Sequence, residues 1–328
     1  MDRSSAVAEL RAVVARFGRD DAPGVGHWCV ALSGGPDSLA LAAVAATVRP
    51  SIALIVDHCL QPDSSSVAAM ARDQAISVGC VGAEILSVDV GATGGPEAAA
   101  RVARYRALDR ARAGAPVLLA HTLDDQAETV LLGLGRGSGP RSIAGMRTCD
   151  PPWYRPLLGV RRELTHLACA ELGLTTWQDP HNADRRFTRV RLRTEVLPLL
   201  EEVLGGGVAE ALARTATALR EDTDMLDEMA ANVLAGLGAG SSGGGLPGGG
   251  LPSATLAPLP EAVRRRVIRG WLLAGGAVGL TDKQIRAVDA LVTAWRGQGA
   301  VAVPGAQPQT RLFAGRRKEM LILYREPV

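Results

Sequence analysis

Short apolar runs separated by alanine-rich segments dominate the first part of the chain. Four runs have the length of buried strands: residues 28–32, 52–56, 85–88 and 117–120. Between them, alanine-rich segments with helical periodicity occupy residues 38–47, 65–78 and 96–112. Strands that alternate with helices indicate βαβ units, so this part of the chain predicts a parallel sheet covered by helices on both faces.

The pattern becomes mainly helical after the proline-punctuated stretch that begins at Pro151. Helices are predicted over residues 161–172, 208–237, 260–273 and 281–295, and a last strand over residues 320–324. Residues 238–252 consist mostly of Gly, Ser and Pro, which is the composition of a flexible linker. We therefore predict a Rossmann-like α/β domain over residues 1–204, a helical and Gly-rich linker over 205–252, and a small α+β domain over 253–328.

Composition places the chain among ordinary globular proteins, with 47% hydrophobic and 21% charged residues. No apolar run approaches the roughly 18–20 residues that a membrane span needs. The N-terminus lacks the apolar segment of a signal peptide. The five cysteines are scattered and form no C-x-x-C pair, which argues against a disulfide framework, an iron–sulfur site or a structural zinc site. These features predict a cytoplasmic protein with no membrane partner.

The net charge of the chain says little about its binding partners, but the kind of basic residue it uses says more. The net charge of +2 does not indicate a nucleic-acid partner. All but two of the 36 basic residues are arginines, whose planar guanidinium suits phosphate and base recognition. A general compositional bias toward Ala, Gly and Arg could explain the same count. Basic clusters at residues 264–269 and 311–318 are therefore either a phosphate-contacting face or an ordinary solvated surface.

The turn after the first predicted strand has the chemistry of a phosphate site. It reads Ser33-Gly34-Gly35-Pro36-Asp37-Ser38, directly between an apolar strand and a helix. Two glycines allow the backbone close to a phosphate, and the helix N-terminus attracts an anion. No G-x-x-x-x-G-K-[ST] sequence occurs, so a kinase or GTPase of the P-loop type is excluded. Polar residues also follow two other predicted strands, and they would share the same edge of the sheet: Asp57, His58 and His121.

Two carboxylates lie close together in the segment that follows the fourth predicted strand. Asp125 and Glu128 are three residues apart, so on a helix both lie on one face. Beside an ATP site they could hold Mg²⁺ or an ammonium group. Alternatively, Asp124 or Asp125 is only a helix N-cap and Glu128 a first-turn acid that favours the helix dipole.

Both motifs resemble those of a known enzyme superfamily. The loop from Ser33 to Ser38 resembles the PP-loop of the N-type ATP pyrophosphatases. The run from Ala120 to Gly139 resembles the A-H-x-x-D-D-Q-x-E-T-x-L-L-x-L-x-R-G-S-G signature of tRNA(Ile)-lysidine synthases. Three further segments agree in order and spacing, at residues 97–108, 155–158 and 179–193. The chain departs from the family pattern at Thr122, His181 and Val190, which puts only fine substrate contacts in question.

The resemblance implies roles for individual residues. The loop would bind ATP, with Asp37 placing Mg²⁺, and Asp125 and Glu128 would receive a lysine substrate and steer its amine. Arg104 and Arg193 would meet charge on ATP or RNA, although solvated helix arginines are the alternative. His58 and His121 would contact ATP unless they are core histidines. The full set of expected ATP-binding residues is Ser33, Gly34, Gly35, Pro36, Asp37, Ser38, Asp57, His58, His121, Arg136 and Gly137.

The resemblance also implies an activity, with residues 1–204 as the catalytic PP-loop domain and 253–328 as a tRNA-binding domain. The enzyme would join L-lysine to C2 of the wobble cytidine of tRNA(Ile) with a CAU anticodon, through an adenylated cytidine, and release AMP and pyrophosphate. A PP-loop tRNA thiolase is one alternative, although that chemistry usually needs paired cysteines. A catalytically silent tRNA-binding protein is the other. The oligomeric state is left open, with a homodimer as one option.

Overall fold

The computed structural model of the chain describes residues 5–22, 26–59, 64–89, 96–137, 139–239, 250–307 and 309–327. They form two compact units. The first contains Met1–Leu132 and Gly145–Arg214, and the second contains Gly133–Ala144 and Thr215–Val328. Residues 240–249, which make up most of the predicted Gly-rich segment 238–252, lie outside the described residues. The domain boundaries given above therefore remain a prediction.

The first unit is built on a six-stranded sheet. Its strands are β1 (Trp28–Leu32), β2 (Ser51–Asp57), β3 (Gly82–Ser87), β4 (Val117–Leu118), β5 (Cys149–Asp150) and β6 (Trp153–Tyr154). They run in the order β3-β2-β1-β4-β6-β5, and only the pairing of β5 with β6 is antiparallel. The predicted α/β class with a mostly parallel sheet is confirmed. Because the chain leaves β1 toward β2 and β3 and later returns to β4 on the other side, the sheet has a switch point between β1 and β4, where ligands bind in such folds.

Helices cover this sheet and connect its strands. They are α1 (Ala6–Asp20), α2 (Pro36–Val48), α3 (Ser64–Ser77), α4 (Pro96–Ala111), α5 (Leu123–Gly135), α7 (Arg162–Glu171), α8 (Thr188–Arg191) and α9 (Leu197–Leu204). The helix α6 (Pro140–Ile143) and all but the first two turns of α10 (Val208–Ala239) belong to the second unit. A 3-10 turn at Pro180–Ala183 and a π-helical turn at Leu192–Val196 complete the first unit. The helix α2 has a continuous buried stretch of mostly apolar residues, from Ser38 to Ala45. Its start is therefore fixed firmly at the carboxyl end of β1.

The second unit has its own antiparallel sheet. Its strands β7 (Leu251–Pro252), β8 (Val301–Val303), β9 (Thr310–Arg317) and β10 (Met320–Pro327) run in the order β7-β10-β9-β8. The helices α11 (Ser253–Leu256), α12 (Glu261–Ala274) and α13 (Asp282–Thr293) accompany it. A separate core joins Ile268, Trp271 and Leu291 to Leu312 and Leu321 of the sheet. The predicted small α+β module is confirmed, but only its last strand was predicted from the sequence.

The arginines at positions 264–266 form neither a phosphate-contacting face nor an ordinary solvated surface, which are the two interpretations that the sequence left open. Arg264 is only 8% exposed, and its Nε donates to Asp289 Oδ1 over 2.6 Å. Arg265 also pairs with Asp289, and Arg266 pairs with Asp227. The proposal of an open phosphate-contacting face at residues 264–266 is therefore wrong, because each arginine has a carboxylate partner within its own unit.

None of the helices in the described ranges is long and apolar enough to cross a membrane.

Candidate active site

A cavity of about 750 Å³ opens in the first unit where β1, β2 and β4 end. Its volume lies in the range of small-molecule sites. It collects most of the residues that the sequence predicted: Ser33, Gly35, Pro36, Asp37, Ser38, Asp57, His58, Arg104, His121, Asp125 and Arg193 line it. The polar residues that follow the strands therefore lie together at the switch point of the sheet.

Hydrogen bonds of Ser33 and Ser38 fix the conformation of the loop between β1 and α2. Ser38 Oγ accepts from the Ser33 backbone amide over 3.2 Å and donates to the Gly35 carbonyl over 2.9 Å. Gly34 has a φ of 80°, in the left-handed region that glycine adopts readily. Gly35 caps α2 without any side-chain hydrogen bond, and Pro36 has no amide hydrogen. The first amides of α2 are thus free of a side-chain cap, which is the arrangement of an anion site at a helix N-terminus.

Asp37 lies in the first turn of α2 and accepts hydrogen bonds from two residues of α7. Its Oδ2 accepts from Arg162 Nε over 3.3 Å, and its Oδ1 accepts from the Thr165 hydroxyl. Burial raises the pKa of the Asp37 carboxyl above its usual value, and the contacts from Thr165 and Arg162 offset that effect only in part. The loop carboxylate is therefore held in place by a neighbouring helix rather than by its own loop.

Asp125 uses its two oxygens for different contacts. Oδ2 accepts from the Thr122 amide over 2.9 Å and from the Thr122 hydroxyl over 3.0 Å, which caps α5. Oδ1 accepts from Arg162 Nη2 over 2.6 Å and from Arg193 Nη2 over 3.4 Å. Burial would raise the pKa of Asp125, but Arg162 and the Thr122 amide outweigh it, so the pKa is lowered. The capping role and a role in the cavity are thus combined in one side chain.

Glu128 lies one turn further along α5 and its side chain has no exposed surface. Its Oε1 accepts from Arg193 Nε over 2.7 Å, and Arg193 Nη2 lies 3.3 Å from Oε2. Arg162 Nη1 and Arg189 Nη1 approach within 3.6 and 3.7 Å. Asp37, Asp125 and Glu128 are therefore linked into one charged network, with Arg162 in contact with all three carboxylates.

Arg104 and two histidines line the cavity with unused hydrogen-bonding capacity. The Nδ1 atoms of His58 and His121 are buried without a partner among the described residues. Burial lowers the pKa of His121 to about 4 and also lowers that of His58, so both are neutral at pH 7. Arg104 lies 5.7 Å from the ring centroid of Tyr105 and has no carboxylate partner in the described part of the chain. Unpaired donors and acceptors around a cavity indicate a polar, anionic ligand.

The sequence interpretation missed Arg162 and Thr165, which carry the contacts to Asp37. Both lie in the predicted helix 161–172, but no local pattern distinguished them from other helix residues. It also missed Trp177, Gln178 and Asn182, which line the same cavity. Conversely, Arg136 and Gly137 are not among the lining residues and belong to the segment Gly133–Ala144 of the second unit.

A magnesium ion would find few protein ligands here. Among the described residues no group of three His, Cys, Asp or Glu side chains could hold a metal. Mg²⁺ is commonly bound by one or two carboxylates together with substrate phosphates and water. Asp37, at the turn between β1 and α2, fits that pattern as a single protein ligand.

Comparison with known families agrees with both units. A family model described as a PP-loop domain matches residues 8–200, and one described as the TilS substrate binding domain matches residues 251–317. The tRNA(Ile)-lysidine synthase of Mycobacterium tuberculosis (strain ATCC 25618 / H37Rv) is 69% identical over 329 residues, covering 100% of both chains. That of Mycobacterium leprae (strain TN) is 64% identical over 332 residues, again covering 100% of both. That of Rhodococcus erythropolis is 62% identical and covers 90% of this chain and 88% of its own.

Solved structures show a more distant likeness. The U34-tRNA thiolase NcsA from Methanococcus maripaludis, solved with its 4Fe-4S cluster, superposes with a TM-score of 0.56. The alignment has 20% sequence identity and covers 66% of this chain and 79% of that one. At this identity the likeness concerns the fold alone.

Proposed function

The chain belongs to the tRNA(Ile)-lysidine synthase family, and on that premise we propose a reaction in two steps. ATP adenylates the C2 carbonyl oxygen of the wobble cytidine in the CAU anticodon of tRNA(Ile). L-lysine then displaces AMP and forms lysidine. Family membership favours this reaction over thiolation, since the likeness to the thiolase concerns only the fold. Intact Asp37, Asp125 and Glu128 argue against a catalytically silent RNA-binding protein.

In the first step the cytidine oxygen attacks the α-phosphorus of ATP, and pyrophosphate leaves. The loop from Ser33 to Ser38 and the N-terminus of α2 would hold the departing pyrophosphate, since no side chain caps the first amides of α2. Asp37 would hold the Mg²⁺ that neutralises phosphate charge. Arg104, which has no carboxylate partner among the described residues, would meet negative charge on the nucleotide. His58 and His121 would donate or accept hydrogen bonds as neutral side chains.

In the second step the lysine side-chain amine attacks C2, and the oxygen leaves with AMP. The amine must first lose a proton, because the ordinary pKa of a lysine ammonium is about 10.4. We assign Asp125 and Glu128 to binding and orienting this group. The lowered pKa of Asp125 keeps its carboxylate charged, which suits an anchor for a cation more than a proton acceptor.

Arg162 must change partners for this assignment to work. In the structure it occupies the same Asp125 oxygen that an incoming ammonium would use, at 2.6 Å. It also contacts Asp37 at the ATP loop, at 3.3 Å. Triphosphate bound on that loop would offer the guanidinium a stronger anionic partner, so ATP would release Asp125 for lysine. Arg162 thus acts as a positioning residue that links the two substrate sites.

The observation that carries the proposal is that the turn from Ser33 to Ser38 and Asp125 line one cavity, where Arg162 contacts both Asp37 and Asp125. Glu128 does not line the cavity and lies buried behind it, 3.6 Å from Arg162. The direct test is to incubate the protein with ATP, labelled lysine and transcripts of tRNA(Ile) bearing CAU, its UAU variant, or tRNA(Met). Label is expected only on the first. Pyrophosphate release without lysine attachment, or label on all three, would contradict the proposal.

A second experiment separates the carboxylate pair from a metal site. Asp125→Asn and Glu128→Gln are each expected to raise the half-saturating concentration of lysine about 10-fold, the value of one charge-assisted hydrogen bond, and that of ATP much less. Glu163→Gln, an exposed acid on α7, serves as the matched control. Equal effects on both substrates would instead assign the pair to Mg²⁺.

A further inference from the structure

The sheet of the second unit has two faces of different chemistry. Leu312 and Ala314 of β9 and Leu321 of β10 point into the core formed with α12 and α13. Side chains alternate along a strand, so the residues between them lie on the opposite face. That face carries Phe313, Gly315 and Arg317 on β9, and Met320, Ile322 and Tyr324 on β10. None of these belongs to the hydrophobic core of the unit in the described residues.

Two aromatic rings form the centre of this face. Phe313 and Tyr324 are cross-strand partners, with ring centroids 5.6 Å apart and ring planes 19° apart. The guanidinium of Arg317 lies 5.8 Å from the Tyr324 centroid. Both aromatic side chains are half-buried rather than covered. Aromatic residues make up only 3% of the chain, so an adjacent pair outside the core is unusual for this composition.

Basic side chains outnumber acidic ones around the rings. Residues 310–327 contain five basic side chains and two acidic ones, and one of the acids, Glu326, lies across from Arg311 on the face of the rings. Arg316 and Arg325 are committed to backbone carbonyls at Leu291 and Gly275. Arg311, Arg317 and Lys318 are exposed and have no carboxylate partner among the described residues. Cationic groups beside stacked rings are complementary to a polyanion that also presents flat aromatic groups.

We propose that this aromatic face, formed by Phe313, Arg317 and Tyr324, binds unpaired nucleotides of the tRNA substrate, an inference that rests on the proposed function. Unpaired bases stack on aromatic side chains and on arginine planes presented by a sheet, whereas paired bases hide their faces within the helix. Tyr324 and Phe313 supply the stacking surface, and Arg311, Arg317 and Lys318 meet the backbone phosphates. Because stacking does not select a particular base, the face contributes affinity and orientation, and the catalytic cavity is left to select the cytidine.

The test measures affinity of the full-length protein for tRNA(Ile), for an unstructured single-stranded RNA and for an RNA duplex across a salt series. Tyr324→Leu, which keeps the apolar bulk and removes the ring, is expected to weaken binding to the tRNA and the single strand about 10-fold. Its salt dependence should be unchanged, since no charge is removed. Arg317→Gln should reduce the salt slope by nearly one unit instead. Tyr324→Phe, which keeps the ring, is the matched control and should bind like the parent protein.

Two outcomes would overturn the proposal. Unchanged binding by Tyr324→Leu would mean that the ring faces solvent or another part of the chain. Loss of self-association upon the same substitution, with RNA affinity unaffected, would assign the face to a second copy of the chain. Lysine attachment, assayed in parallel, separates this proposal from the proposed function. If Tyr324→Leu attaches lysine fully and binds tRNA as the parent does, the proposal for the aromatic face is refuted and the proposed function stands. If Tyr324→Leu binds tRNA more weakly but the parent protein itself attaches no lysine, the proposed function is refuted and the proposal for the face stands.

Discussion

Arginine–carboxylate networks occur in both units, and they differ in what surrounds them. In the first unit Arg162 lies 2.6 Å from Asp125, and in the second unit Arg264 lies 2.6 Å from Asp289. The first network borders a cavity of about 750 Å³ and a helix start without a side-chain cap. The second joins α12 to α13 beside the apolar core, where Arg264 also donates to the Leu259 carbonyl over 2.7 Å.

The difference shows that distance alone does not tell a structural ion pair from a functional one. In the second unit no large ligand can reach Asp289, whose side chain is only 6% exposed, so its partners are permanent. In the first unit the side chain of Asp37 is 23% exposed and faces the cavity, so its partners can be exchanged for ligand groups. Substitution at matched positions should therefore change stability in one network and activity in the other.

The largest effect is expected from Asp289→Asn in the second unit. It leaves Arg264 buried beside an uncharged side chain and removes one of the two carboxylate partners of the half-buried Arg265. Breaking a buried pair like that of Arg264 costs about 3–5 kcal/mol. A cost of that size corresponds to roughly 10 °C in melting temperature. Thermal unfolding measures it, with Asp282→Asn as control, since the pair of Asp282 with Arg286 is exposed. Equal and small shifts for both variants would show that the second network is not structural.

Asp37→Asn is expected to give the reverse result. Burial raises the pKa of Asp37, so the charged carboxylate is costly in the fold, and the isosteric amide should leave the melting temperature unchanged or higher. Pyrophosphate release should fall about 100- to 1,000-fold, the typical cost of removing one electrostatic contact to a transition state. A well-folded Asp37→Asn protein that turns over at the normal rate would refute the ATP site at this loop.

What the sequence could predict in these networks depended on sequence separation. Asp37, Asp125 and Glu128 were recognised because each lies in a contiguous motif next to a strand end. Arg162 was missed because its carboxylate partners lie 37 and 125 residues away along the chain. Arg264 was misassigned for the same reason, since Asp289 lies 25 residues further on in a different helix.

The apolar run around a strand, rather than the length of the strand, decided how much of the fold could be predicted. The strands β1 and β2 have five and seven residues within apolar runs and were predicted, and so was β4, whose two residues lie in the apolar run 117–120. The strands β5 and β6 have two residues each and leave no pattern that differs from a loop. In the second unit β9 mixes buried apolar positions with Arg311, Arg316 and Arg317, which hid an eight-residue strand within an apparently basic segment.

Arg162→Met should distinguish an exchangeable partner from a fixed one. If Arg162 passes from Asp125 to bound triphosphate, its removal raises the half-saturating concentration of ATP about 10-fold, because one charged contact is lost. Lysine binding measured without ATP should become tighter, since the guanidinium 2.6 Å from Asp125 Oδ1 is removed and Arg193 contacts that oxygen over the longer distance of 3.4 Å. Arg264→Met is the matched variant. It should lower the melting temperature without changing the half-saturating concentration of ATP or the affinity for lysine. Weaker lysine binding in Arg162→Met would show that Arg162 orders the carboxylates rather than competing with the substrate.

The smallest effect concerns His121, which burial keeps neutral and whose Nδ1 has no hydrogen-bond partner in the part of the chain that the structure describes. Burial lowers its pKa to about 4 from the ordinary value of about 6.5. Between these values the unfolded chain binds a proton that the folded chain does not, so the free energy of unfolding falls as pH decreases from 6.5 toward 4. His121→Gln removes this term, and its stability relative to the parent should therefore increase progressively below pH 6.5. Asp37, whose raised pKa acts in the opposite direction, is present in both proteins and cancels to first order in the comparison. Urea unfolding of the two proteins at pH 7.5, 6.0 and 5.0 provides the measurement. A stability difference that does not change with pH would mean that His121 is solvated or paired in solution, and the cavity would then lack one of the two neutral imidazoles proposed to contact ATP.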